Sequence, residues 1–159
     1  MFKVRNSIPF FAVAVVLGVM VSSAVATSPH LVRATGDLSG KTVEIDAKYA
    51  GLGSELEYTG TLSGSGQVIC TNRGGNIAPG QSLSFSPLSD TKTTSRAGTL
   101  TFVYTFDLPK NAGCPNGNWK VSAFVNATLG AQDVATSGAT VSLANTCSGA
   151  IPGTLSCSN

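Results

Sequence analysis

Few residues of this 159-residue chain have the chemistry for a reaction, and their spacing decides how far each can be taken. Glu55 and Glu57 stand two apart in an alternating run, which on a strand places both carboxylates on one face. A retaining glycosidase needs two carboxyl groups about 5 to 5.5 Å apart, so this pair carries the alternative reading, a secreted hydrolase. The alternation that turns Leu56 and Tyr58 inward also puts these acids on a solvated outer face without any catalysis, as it does Glu44 and Asp46. The single histidine, His30, lies near the start of the mature chain, so a Ser-His-Asp arrangement would have to recruit it from a tail. Cys70, Cys114, Cys147 and Cys157 include no C-x-x-C pair, and no acidic loop motif surrounds Asp37, Asp90 or Asp133. The expectation is therefore a non-catalytic protein with no metal and no cofactor.

The cysteines instead point to a compartment. An even count in an exported chain implies two disulfides, in one of three pairings. The N-terminus supports export: Lys3 and Arg5, an apolar run of 14 residues over 8–21, and Ala24-Val25-Ala26 have the layout of a cleaved signal. That run is shorter than the roughly 20 residues of a membrane-spanning helix. Residues 1–26 are accordingly assigned to a signal peptide, and the mature protein is expected to be secreted and extracellular, with no membrane attachment after cleavage.

Cleavage also removes Lys3 and Arg5, which carry the whole formal excess of +2, and leaves eight basic and eight acidic residues. A neutral chain without a basic stripe lacks the phosphate-neutralising charge on which nucleic-acid affinity depends. Nucleic acid is excluded as a partner on this ground, and the partner expected is a polymer or protein ligand of unknown identity.

The elements that must position these residues are short and alternating. Val43, Ile45, Ala47 and Tyr49 share one face, as do Leu56, Tyr58 and Leu62, then Leu100, Phe102, Tyr104 and Phe106, then Trp119, Val121, Ala123, Val125 and Ala127. A short strand at Leu83 and Phe85 is expected to stop at Pro87, and a last strand to cover about 139–143. Alternation turns Phe124 outward. No mature segment has a convincing helical period. Residues 27–40 are predicted to be a flexible lead-in, 41–145 an all-β domain, and 146–159 a disulfide-closed C-terminal extension. The fold expected is an antiparallel two-sheet sandwich, for which an immunoglobulin-like topology is one arrangement, with a small barrel as the runner-up.

Two Gly/Asn/Pro-rich loops interrupt this pattern, at 71–81 and 109–118. Their motifs, C-x-N-x-G-G-N over Cys70 to Asn76 and G-C-P-N-x-x-W over Gly113 to Trp119, resemble those of a group of uncharacterised small secreted β-sandwich proteins of bacterial type. The resemblance spans about 41–143 and rests on turns and cysteines, so it bears on fold and not on activity. It implies a Cys70 to Cys114 bridge, which leaves Cys147 to pair with Cys157. Such a bridge would gather Asn72, Arg73, Asn76, Asn116 and Asn118 at one end of the domain, making them the candidate ligand-binding residues. The competing role for the asparagines is to satisfy the backbone of their own turns.

Overall fold

Alternation of apolar and polar side chains governs the observed architecture, because a strand can bury every second residue while its neighbours face water. The structure is a computed structural model that describes residues 28–109, 112–134 and 141–159. The described residues form eight strands: β1 (His30–Ser39), β2 (Thr42–Ala50), β3 (Glu57–Thr71), β4 (Ile77–Thr93), β5 (Leu100–Asp107), β6 (Lys120–Asp133), β7 (Ser142–Ile151) and β8 (Gly153–Ser158). Residues 1–26, expected as the signal peptide, lie outside the described residues, as does part of the strand expected at 139–143.

All paired neighbours are antiparallel, in the order β4-β3-β6-β7-β8-β1-β2-β5. The all-β class is as expected, but the sandwich is not: one continuous sheet curls into a nearly closed barrel. The two missing links explain the difference. β8 pairs with β7 on one side and with β1 on the other, joining what would otherwise be two separate sheets. Its sequence lies in the segment expected as a C-terminal extension, and β1 lies in the one expected as a flexible lead-in.

The edges β4 and β5 approach without joining in a backbone ladder. Phe85 of β4 stacks on Phe106 of β5 with ring centroids 4.5 Å apart. Further along this seam, Lys92 Nζ donates to the Thr101 carbonyl at 3.1 Å and pairs with Asp90, also at 3.1 Å. Unlike the short strand expected, β4 continues past Pro87. Between the Leu62–Leu88 and Gly64–Phe85 pairs, Ser63 faces both Ser86 and Pro87, so the proline sits in a bulge of an edge strand, where its missing N–H is tolerated.

The interior is mainly apolar, filled from all sides by Ile45, Tyr58, Leu62, Phe102, Val125 and Leu129, among others. The outward positions of β3, β6, β7 and β8 are mostly Ser, Thr, Asn and Gln. Chain direction gathers the connections into two groups. The β1–β2 hairpin, the β3–β4 loop and the β5–β6 loop lie at one end, and the β2–β3 and β4–β5 turns at the other.

Candidate functional site

The first of these ends carries the candidate site. Cys70, buried at the end of β3, is bridged to Cys114 of the β5–β6 loop with 5.6 Å between the Cα atoms. The bridge ties together two loops that sequence separates by 44 residues. Each loop is then shaped by one asparagine. Asn72 Oδ1 accepts the backbone N–H groups of Gly74 and Asn76, both at 2.9 Å, while the Asn72 N–H donates to the Asn76 carbonyl at 3.1 Å. Gly75 takes the left-handed conformation that the tight turn requires, with φ of 80°. In the second loop Asn116 Oδ1 accepts the Asn118 N–H at 3.0 Å, and the Asn116 carbonyl accepts the Trp119 N–H at 3.3 Å. A third tie joins β4 to this loop, where the Gln81 N–H donates to the Ala112 carbonyl at 3.0 Å.

Between the loops opens a concavity of about 630 Å³, lined by Asn72, Arg73, Asn116, Asn118 and Trp119 with two glycines. Four of the five residues expected at this site therefore meet in one place. Asn76, the fifth, is exposed in the same turn but does not line the concavity. Arg73 is exposed and has no ion pair or hydrogen bond to any described residue. A second concavity of about 650 Å³ adjoins the first and shares Asn116, Gly117 and Trp119 with it. Leu108, Ala112 and Val121 give it an apolar floor, with Lys41 of the β1–β2 hairpin at its side.

Trp119 combines a core contact with a place at the site. In phase with Val121 and Ala123, it packs against the core as that phase predicts, but it precedes β6, which begins at Lys120, and is only half-buried, at the wall common to both concavities. Its place directly after the Asn116-Gly117-Asn118 turn was the available signal.

The carboxylate pair is arranged differently. Glu55 lies in the β2–β3 turn with φ of 57°, not on a strand, and its carboxylate is 3.6 Å from Arg96 Nε, both side chains being well exposed. Glu57 is the exposed first residue of β3. His30 begins β1, its Nδ1 2.7 Å from the Ser28 carbonyl. Among the described residues, no three His, Cys, Asp or Glu side chains come together as a metal site. Phe124 is 41% exposed on the outer face of β6, as alternation predicts. Tyr58 and Tyr104 are in the core as expected.

Fold and site together define an antiparallel, nearly closed β-barrel with a disulfide-pinned loop end. No protein-family model matches the chain, and no curated protein does. Among solved structures it is similar to Spo0M, a sporulation control protein from Bacillus subtilis, at a TM-score of 0.31 and 13% sequence identity. The match covers 77% of this chain and 48% of that one, so the chain spans about half the length of the structure it matches.

Proposed function

We propose that this is a non-catalytic, secreted or cell-surface protein that binds a polymer or protein ligand at its disulfide-pinned loop end. One observation carries the reading: Cys70–Cys114 brings Arg73, the one cation in its concavity and unpartnered among the described residues, beside three asparagines on rigid turns. Side chains held in this way recognise a ligand with little further loss of freedom. The hydrolase alternative has less support, because Glu55 sits in a turn against Arg96 and Glu57 is a strand-end residue. Export fits the two disulfides.

The test is a pull-down from extracellular material with the immobilised protein, comparing the wild type with a double variant. Arg73→Ala with Asn118→Ala is the informative pair, since Asn72 and Asn116 also hold their turns together. Capture should be lost in this variant with an unchanged melting temperature. Capture that survives it but fails on Phe124→Ala would place binding on the outer face of β6 and overturn the proposal.

A further inference from the structure

The chemistry of the loop end is weighted toward donors. An asparagine offers an acceptor oxygen and a two-proton donor, but two of the three that line the first concavity have their acceptors already engaged. Asn72 Oδ1 holds two backbone N–H groups and Asn116 Oδ1 holds one, so each amide faces a ligand chiefly as a donor through Nδ2. Arg73 and the Trp119 indole have donors only. Neither concavity has an Asp or Glu in its lining. Such a surface is complementary to a ligand rich in acceptors and negatively charged, and a guanidinium matches a planar carboxylate through two parallel hydrogen bonds.

The second observation is apolar. Trp119 borders both concavities, the second of which is floored by Leu108, Ala112 and Val121. An indole with one side wet and the other packed is suited to a ligand that is itself amphipathic. A pyranose ring offers C–H groups from one face and polar groups from its rim. Two adjoining hollows sharing one wall fit successive rings of a chain better than one compact anion, and a single unpartnered guanidinium is too little charge for a polyphosphate backbone. We propose, building on the loop-end reading above, that the ligand is a glycan carrying carboxylate groups. Arg73 and the Asn72 and Asn116 amides engage a carboxylate, and Trp119 packs against an adjacent sugar ring.

Trp119 is the only tryptophan of the chain, so its fluorescence reports on the site directly. The experiment titrates the disulfide-intact protein with a galacturonic acid trimer, a neutral galactose trimer and an oligoglutamate peptide. The acidic trimer should change Trp119 emission and bind more weakly as salt rises. Arg73→Gln should lower its affinity about tenfold or more without moving the melting temperature. The galactose trimer and the peptide should bind at least about tenfold more weakly than the acidic trimer. Equal binding of the neutral trimer, or tighter binding of the peptide, with Arg73→Gln still impairing it, overturns the acidic-glycan assignment and leaves the loop-end site standing. Binding of the acidic trimer that Arg73→Gln does not weaken overturns the loop-end site itself. No binding of any of the three overturns the glycan inference and leaves the pull-down to decide the site.

Discussion

The hydroxyls of Tyr49 and Tyr104, like Asn145 Oδ1, are buried without a hydrogen-bond partner among the described residues, which makes them costly polar groups of the interior. Burial pushes the Tyr49 phenol from 10.0 up to about 12. Burial raises Tyr104 further, with Tyr49 and Asp90 adding electrostatic repulsion. The folded chain thus holds these protons more tightly than the unfolded chain, so their contribution to stability is full below pH 10.0 and is lost as pH climbs toward about 12. Chemical denaturation at pH 8 and pH 11 checks this: Tyr49→Phe should be neutral or stabilising by up to about 1 kcal/mol at the lower pH and should lose less stability at the higher one. A variant that falls as steeply as the wild type contradicts it. In the loops, Asn72→Ala removes the acceptor of two backbone N–H groups, and a loss of about 1 to 2 kcal/mol in thermal unfolding is expected. The turn-forming role of Asn72 and Asn116 was one of two readings the sequence allowed. The turn-forming role holds, and the proposed ligand contact is compatible with it, because an amide that spends its oxygen on a turn still has its nitrogen for a ligand.

At the level of elements, the strands with a bulky alternating face were legible and the others were not. β2, β5 and β6 present Val43, Ile45, Phe102, Tyr104, Val125 and similar residues inward, and their alternation alone locates them. β1 buries Ala34, turns Gly36 against Ile151, and β8 buries Leu155 alone. Small inward residues leave no hydrophobic signal, so two strands were mistaken for tails and the link that closes the sheet was invisible. A pleated strand reads the same in a sandwich and in a barrel, which is why alternation could not choose between them. β3 shows the same use of small residues at a place where packing is tightest. A Cβ on Gly60 would run into the Phe102 ring and the Tyr104 hydroxyl, so Gly60→Ala should cost about 1 to 3 kcal/mol in denaturant unfolding. An unchanged midpoint would mean that this part of the barrel is looser than the structure has it. At the seam, Phe106→Ala removes the stack that holds β5 to β4, and a loss of about 2 to 4 kcal/mol is expected, toward the lower end because Phe106 is only partly buried.

At the scale of the whole molecule, the lumen is apolar and much of the outer surface carries hydroxyls and amides, the reverse of the lipid-facing band a membrane barrel needs. The two disulfides sit on different parts of this body. Cys147 and Cys157 face each other across β7 and β8 and close a separation of 10 residues, whereas Cys70–Cys114 closes 44 and clamps the loop end proposed to bind ligand. Chain entropy assigns them about 3 and about 4 kcal/mol respectively. Replacing Cys70 and Cys114 by alanine should therefore lower the melting temperature more, and should also impair binding, while the corresponding Cys147 and Cys157 variant should keep its binding. The pairing pattern was accessible from the cysteine positions and the loop motifs, but the concavity was not, since it depends on where the β1–β2 hairpin and Trp119 come to rest. The central claim is that ligand meets the protein at this end and nowhere on the sheet. Backbone amide chemical shifts recorded during titration with the galacturonic acid trimer test it most directly. The account predicts shifts confined to residues 72–76 and 112–121 and to Lys41 and Leu108, and shifts centred instead on Phe124 and its cross-strand neighbour Gln67 would contradict it.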